Sequence, residues 1–202
     1  MSAKYVQHPI EQQFHARSRR KLLIFDADGT LRRCTVAGQP CPNKPSEWEL
    51  LPGVKDLLAR YKWAPDLMLG VASNQGGVGL GLLSEETATN LLVDMYVEIT
   101  GCWPPSHMIQ VCPHAPTAGC DCRKPKPLML QRIMRAAGEF SPEETTFIGD
   151  QAGDEQAAAA ARCSFIWARD FFGWDDGVTE VLSDGSVLGA DPISAAIRRS
   201  SY

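Results

Sequence analysis

Short, mostly apolar runs alternate along this chain with longer segments in which apolar residues recur every three or four positions. Each short run spans four to six residues, a length typical of strands that are covered on both faces. The runs comprise residues 22–25, 67–72, 108–111, 145–148 and 164–167. This pattern predicts five buried strands.

The segments between these runs have the periodicity of amphipathic helices. One begins at Gly53, one follows the predicted N-cap Ser84, one is centred on residues 130–137, and an alanine-rich one begins near Gln156. Strands that alternate with helices predict a doubly wound α/β domain, in which helices cover both faces of a mostly parallel sheet.

Residues 31–52 break this alternation. Four prolines in that segment disfavour helix, so an irregular chain is predicted there. The segment is also too short for a separate cap domain, and the region after the first strand is therefore expected to be open.

Composition limits the domain organisation and the class of protein. A chain of 202 residues suits one well-buried domain, which we assign to residues 21–202 after an N-terminal extension of residues 1–20. The net charge of −4 gives no general nucleic-acid-binding surface. Without a membrane-length apolar run or a signal peptide, we expect a cytoplasmic monomer with no membrane association. Seven cysteines, an odd number, favour thiols or metal ligands over a disulfide framework.

Polar residues follow the predicted strands at the edge where the carboxyl ends of a parallel sheet meet, which is where such sheets bind ligands. They are Asp26 and Asp28 after the first strand, Ser73 and Asn74 after the second, Arg123 and Lys124 after the third, and Asp150 after the fourth. Taken alone, Asp26 and Asp28 are also typical of an ordinary acidic turn. Their convergence with the other polar residues favours a binding site.

The chemistry of this set points to phosphoryl transfer. Carboxylates that face one another repel unless a hard cation lies between them, and oxygen ligands that leave room for water favour Mg²⁺. A hydroxyl and a lysine ammonium bind anions. Because no Walker-type loop is present, transfer to a side chain is indicated, with Asp26 as a candidate nucleophile. Asp28 could then protonate the leaving alcohol and later activate water.

These residues resemble the four motifs of haloacid dehalogenase (HAD) superfamily phosphatases. The matching positions are Asp26-Ala27-Asp28-Gly29-Thr30, Ser73-Asn74-Gln75, Lys124 and Gly149-Asp150. The resemblance implies that Asp26 is phosphorylated and that Asp28 is the general acid and base. Ser73 would hydrogen-bond the phosphoryl group, and Lys124 would offset its charge.

The same resemblance implies a metal site and substrate contacts. Mg²⁺ would be held by Asp26, the backbone carbonyl of Asp28, and Asp150. We expect Asn74 and Arg123 to bind a small phosphorylated substrate. Asp154 has two open interpretations: it orients Lys124 or the metal shell, or it is a solvated acid in the first turn of a helix.

A cysteine-rich loop follows the third predicted strand. Cys112 and His114 form one pair of potential ligands, and Cys120 and Cys122 form a second pair after five intervening residues. Three thiolates and one imidazole suit a closed, structural Zn²⁺ site. The alternative is a set of reduced thiols, with the second pair acting as a redox couple.

This loop narrows the resemblance to a zinc-containing, small-cap HAD branch that includes heptose-bisphosphate and histidinol-phosphate phosphatases. A sugar bisphosphate is therefore the expected substrate, although Ala27 and Gln151 stand where the heptose enzymes often carry Arg and Lys. The segment from Asn74 to Gly79 also resembles polynucleotide 3′-phosphatases, so a nucleic acid end is an alternative substrate. A non-catalytic zinc- and anion-binding module is the third alternative. The segment from Phe171 to Trp174 either stacks on the substrate or closes the core.

Overall fold

The computed structural model describes residues 20–61, 63 and 65–174. The strands, in chain order, are β1 (Lys21–Phe25), β2 (Arg32–Cys34), β3 (Trp48–Leu50), β4 (Leu67–Asn74), β5 (Ile109–Cys112), β6 (Thr145–Gly149) and β7 (Ser164–Trp167). The helices are α1 (Val54–Leu58), α2 (Gly76–Gly79), α3 (Glu85–Thr100), α4 (Leu128–Ala136), α5 (Ala152–Ala161) and α6 (Ala168–Phe172). Apart from Arg20, the predicted N-terminal extension lies outside the described residues. The sequence also predicts a short terminal helix at 193–199, and that segment lies outside the described residues as well.

Five of these strands form one parallel sheet in the order β5-β4-β1-β6-β7, which confirms the predicted doubly wound α/β fold. The central strand β1 pairs with β4 on one side and with β6 on the other. The chain reverses its direction of progress across the sheet at β1, and this switch point opens a crevice at the carboxyl ends of the strands.

Alternate residues of β1 point to opposite faces of the sheet, and each face has its own core. Leu23 and Phe25 pack in a core with α1, α3 and α6. Leu22 and Ile24 pack in a second core with α4 and α5. Because both faces are covered, β1 is apolar at almost every position, as its sequence predicted.

The segment after β1 is more ordered than the sequence predicted. β2 and β3 form an antiparallel hairpin within residues 31–52, with Arg32 paired to Leu50 and Cys34 paired to Trp48. The irregular chain predicted there was therefore wrong for these six residues. The strands lacked a signal because they are short, and because β2 consists of two arginines and a cysteine rather than alternating apolar residues.

One helix prediction needs correction, and one short helix was not predicted. The alanine-rich helix begins at Ala152, four residues before the predicted start, because the Asp154 carboxylate accepts a hydrogen bond from the Gln151 amide and caps the first turn. The short helix α2 was not predicted, since three of its four residues are glycine, a poor helix former. By contrast, the predicted cap Ser84 is confirmed, as its hydroxyl accepts from the Thr87 amide at 3.0 Å.

The aromatic segment at the end of the described chain closes the core. Phe171, Phe172 and Trp174 are buried, and the Trp174 ring nitrogen donates to the Pro52 carbonyl at 2.9 Å. The second interpretation of this segment is therefore confirmed. None of the helices in the described part of the chain has the length and hydrophobicity that crossing a membrane requires.

Candidate active site

Asp26 is the first residue after the central strand. Its amide donates to the Ile148 carbonyl at 2.9 Å, which extends the pairing of β1 with β6 by one residue. The chain then turns, with the Leu31 amide bonded to the Ala27 carbonyl at 2.9 Å. Asp26 is buried at the switch point of the sheet, and this turn keeps Asp28 close to it.

Lys124 lies between two buried carboxylates. Its Nζ is 2.6 Å from Asp26 Oδ1 and 2.7 Å from Asp154 Oδ1. Burial disfavours the charged form of Lys124, but the two carboxylates outweigh this effect and raise its pKa. Asp154 is only 2% exposed, so the interpretation as a solvated acid was wrong and the structure pairs it with Lys124.

Asp150 approaches the turn after β1 from the end of β6. Its Oδ1 accepts a hydrogen bond from the Thr30 hydroxyl at 3.0 Å. Gly29 has a φ of +94°, and a Cβ built at this position would lie 2.3 Å from Asp150 Oδ2. The missing side chain at Gly29 thus makes room for the Asp150 carboxylate.

Asp26, Asp150 and Asp154 form a cluster in which one oxygen of each lies within 4.8 Å of the others. Three negative charges against the positive charge of Lys124 leave a net charge of −2 when all four groups are ionised. Burial, together with repulsion from Asp154 and Asp150, raises the pKa of Asp26 to about 8, although Lys124 opposes the shift. The cluster therefore suits a divalent cation, and Asp26 and Asp150 are its candidate ligands because Asp154 is committed to Lys124 and to the Gln151 amide.

Asn74 holds the backbone of Lys124 in place. The Asn74 side chain accepts from the Lys124 amide at 3.0 Å and donates to the Lys124 carbonyl at 3.2 Å. Both ends of the amide group are therefore used within the protein. Arg123 is partly exposed, and its Nη1 donates to the His114 carbonyl at 3.4 Å, so it lies beside the cysteine-rich loop.

Asp28 is contacted by two residues to which the sequence analysis gave no role in the site. Arg32 Nε lies 2.8 Å from Asp28 Oδ1, and Gln75 Nε2 donates to Asp28 Oδ2 at 2.7 Å. Gln75 Nε2 also donates to the Ser73 hydroxyl at 2.8 Å. The four-residue spacing of Asp28 and Arg32 was a signal for the first contact, but it only acquires meaning once the intervening turn is known.

The cysteine-rich loop folds its four predicted ligands into one cluster. Cys112 Sγ lies 3.6 Å from Cys120 Sγ, which is 3.7 Å from Cys122 Sγ. His114 Nδ1 lies 3.7 Å from Cys112 Sγ and 3.3 Å from Cys122 Sγ. Tetrahedral zinc, with bonds of about 2.3 Å to sulfur and about 2.0 Å to nitrogen, separates its ligand atoms by roughly 3.5–3.8 Å. The donor set and its spacing fit that ion.

The loop packs against the segment that follows Ser73 and Asn74. A Cβ built on Gly79 would lie 2.2 Å from the Ala115 amide nitrogen and 3.0 Å from the Pro113 carbonyl oxygen. Lys126 closes the loop from the other end, with Nζ 2.7 Å from the Cys120 carbonyl and 2.9 Å from Asp121 Oδ1. The loop is thus fixed at residues 113–115 and again at residues 120–121, shortly before Lys124.

Comparison with known proteins gives one family. Residues 21–172 match a family model described as polynucleotide kinase 3 phosphatase. The chain is 34% identical over 144 residues to D-glycero-beta-D-manno-heptose-1,7-bisphosphate 7-phosphatase of Bordetella bronchiseptica, an alignment that covers 71% of this chain and 78% of the relative. The enzyme of the same name from Pseudomonas aeruginosa is 35% identical over 147 residues, with 71% and 78% covered.

A solved structure extends the similarity to the fold. The D,D-heptose 1,7-bisphosphate phosphatase of B. bronchiseptica, crystallised with magnesium and phosphate, aligns with a TM-score of 0.62 and 28% identity over 89% of this chain and 98% of its own. The relatives are named as phosphatases, which favours an enzyme over a non-catalytic binding module. The chain therefore belongs to the HAD superfamily of phosphatases, in the family whose model spans residues 21–172.

Proposed function

We propose that this phosphatase is a Mg²⁺-dependent phosphomonoesterase that acts on a small sugar bisphosphate, such as a heptose bisphosphate, through an aspartyl-phosphate on Asp26. The observation that carries the proposal is the buried contact of Asp26 with Lys124 at 2.6 Å, at the switch point of the sheet. A nucleophilic carboxylate needs such a fixed cation beside it, because the approaching phosphate is itself negative.

The reaction has two steps. In the first, an oxygen of Asp26 attacks phosphorus, the bond between phosphorus and the leaving oxygen breaks, and Asp28 gives that oxygen its proton. In the second, water attacks the aspartyl-phosphate and loses a proton to Asp28, which frees Asp26 and inorganic phosphate. Ser73 hydrogen-bonds the phosphoryl group in both steps, and Lys124 offsets its charge.

Two metal ions have separate places in this proposal. Asp26, Asp150 and the Asp28 carbonyl would hold Mg²⁺, which supplies positive charge to the phosphoryl oxygens when it is bound. Zn²⁺ would be held by Cys112, His114, Cys120 and Cys122. These four protein ligands would leave it no open position, so it would take no part in the reaction. The zinc loop would act by fixing Arg123 and Lys124, which directly follow it.

The substrate assignment is supported by the curated relatives, whose names specify heptose 1,7-bisphosphate. The family model's description favours the second candidate, a nucleic acid 3′ end. The net charge of −4 weighs against that candidate, since contacts to a phosphate backbone need a basic surface. We also propose that the enzyme works as a monomer in the cytoplasm, because the candidate catalytic groups lie within one chain and none of the seven cysteines forms a disulfide.

A substrate panel with one test variant and one control variant tests this proposal. Wild-type protein with Mg²⁺ is expected to release phosphate from a heptose 1,7-bisphosphate faster than from histidinol phosphate or from a 3′-phosphorylated oligonucleotide. Asp26→Asn is expected to abolish all turnover, whereas Asp56→Asn, which alters an exposed acid on α1, should leave it unchanged. Preference for the oligonucleotide would show that the substrate is a nucleic acid 3′ end. Turnover by Asp26→Asn would refute the assignment of Asp26 as the nucleophile.

A further inference from the structure

Arg32 is the largest completely buried side chain in the described part of the protein. Its relative exposure is 0%, although it lies only two residues after the turn that carries the candidate catalytic acids. Arginine is almost never buried to this extent unless a partner offsets its charge. The neighbouring Arg33, in contrast, is about a quarter exposed and pairs with Glu49 at the surface of the hairpin.

The contacts of Arg32 converge on Asp28. Its Nε is 2.8 Å from Asp28 Oδ1, and its Nη2 is 3.5 Å from Asp28 Oδ2. The remaining nitrogen, Nη1, donates to the Leu91 carbonyl in α3 at 3.0 Å. The guanidinium carbon lies 5.9 Å from the ring centre of Trp48 in β3. Groups from a helix and from the hairpin therefore fix the guanidinium, which in turn faces the Asp28 carboxylate.

Gln75 completes the arrangement from a different strand end. Its side chain is fully buried, and Nε2 donates to both Asp28 Oδ2 and the Ser73 hydroxyl. Its other end, Oε1, accepts no hydrogen bond from the described residues. The reverse orientation would place Oε1 against the Asp28 carboxylate. Gln75 thus leaves its Oε1 without a hydrogen-bond partner among the described residues, while its Nε2 donates to two candidate catalytic groups.

We propose that Arg32 is a positioning residue for the general acid and base Asp28, and that Gln75 is its second support. This inference rests on the proposed function, because it assigns Arg32 a role through the proton transfers of Asp28. Both carboxylate oxygens of Asp28 are held, Oδ1 by Arg32 and Oδ2 mainly by Gln75. The carboxyl group therefore has a fixed orientation relative to Asp26, two residues earlier in the same turn.

A positioning role has a different kinetic consequence from a role in folding. Positioned proton transfer contributes about 10²- to 10⁴-fold to turnover, so a carboxyl group that lost its orientation would lose roughly 10- to 100-fold. The loss would fall on kcat rather than KM, because Asp28 acts in the transition state. It would be largest for alcohols that leave poorly, since a good leaving group departs without a proton.

The first experiment compares substrates with Arg32→Met, which replaces the guanidinium by an apolar side chain, and with Arg33→Gln as the matched control. On a sugar phosphate, Arg32→Met is expected to lower kcat by about 10- to 100-fold with little change in KM. On dinitrophenyl phosphate, it should still release one equivalent of dinitrophenolate in a rapid burst, followed by slow hydrolysis of the aspartyl-phosphate. Arg33→Gln should match wild type on both substrates.

The second experiment repeats the substitution in an Asp28→Asn background. If Arg32 acts through Asp28, Arg32→Met should lower turnover per folded molecule by no more than about twofold once the carboxyl group is gone. An equal loss in both backgrounds would overturn the proposal. Arg32→Lys, which keeps the positive charge but not the paired donors to Asp28, is measured in the same cycle, and it decides the question by the same criterion where Arg32→Met does not fold.

Failure of this inference can be told from failure of the proposed function. Wild-type protein that does not hydrolyse either phosphate ester with Mg²⁺ would refute the proposed function itself. Active wild-type protein together with a fully active Arg32→Met variant would refute only the positioning role. A variant that loses the burst as well as steady turnover, while remaining folded, would also refute it, because the first step on dinitrophenyl phosphate needs no proton from Asp28.

Discussion

Gly29→Ala should both strain the backbone and displace the Asp150 carboxylate. Comparison with a glycine at which only the backbone is strained should separate the two effects. With φ at +94°, alanine at this position costs about 1–2 kcal/mol in the backbone alone. The new Cβ would also lie 2.3 Å from Asp150 Oδ2, whereas real contacts of this kind are rarely shorter than 3.0 Å. The Asp150 carboxylate must therefore move by roughly 1 Å, a misplacement that can cost about 100-fold in rate.

Gly101→Ala is the matched control for this prediction. Gly101 ends α3 with a φ of +73°, and a Cβ there would meet no atom within 4 Å. Gly29→Ala should lose at least as much stability as Gly101→Ala in thermal unfolding, and it alone should lose activity and need more Mg²⁺ for half-maximal rate. The assay is a Mg²⁺ titration of phosphate release. Wild-type rate and Mg²⁺ dependence in Gly29→Ala would refute both the crowding argument and the place of Asp150 in the metal site.

Three further predictions follow from the buried charges and the cysteine loop. Asp154→Asn removes one of the two carboxylates on Lys124 and should lower the free energy of unfolding by about 1.5–3 kcal/mol, and an unchanged urea midpoint would contradict it. Cys122→Ser should reduce the zinc content measured by mass spectrometry, with phosphatase activity falling in proportion, whereas full activity without zinc would show that the loop is dispensable. Because burial raises the pKa of Asp26 to about 8, the metal-free folded enzyme holds a proton there, and its stability should fall as the pH rises from about 4 to about 8. Mg²⁺ displaces that proton, so its stabilising effect in thermal unfolding should be larger at about pH 8 than at about pH 6, and an effect independent of pH would contradict the assignment of Asp26 as a ligand.

Features with a local physical cause could be predicted from the sequence. Ser84 precedes two glutamates and an apolar stripe, and the helix start it predicted is the one found. The strands of the parallel sheet were visible because both their faces are buried, which makes the runs continuously apolar. The clustering of the cysteine-rich loop could be predicted because its potential ligands stand in two pairs at short spacings, and the structure brings their ligand atoms together.

Features that depend on distant contacts could not be predicted in this way. The burial of Asp154 decides between its two interpretations, and burial depends on how α5 packs against the end of β6. β2 has no apolar alternation, since its buried residue is an arginine, and β3 alternates over only three residues, Trp48–Leu50. Arg32 and Gln75 meet Asp28 from different segments of the chain, and neither residue type identifies such a contact in advance.

The cysteine-rich loop has two different sides. Its inner side, around Ala115, packs closely on Gly79, whereas its outer side, residues 116–119, faces solvent. Any side chain at position 79 would collide with the backbone around Ala115. On the outer side, residues 116–119 are exposed, and a Cβ on Gly119 would meet nothing within 4 Å. Foreign peptide inserted within residues 116–119 would therefore project into solvent. A fluorescent or affinity tag placed there would leave the packed inner side of the loop unchanged.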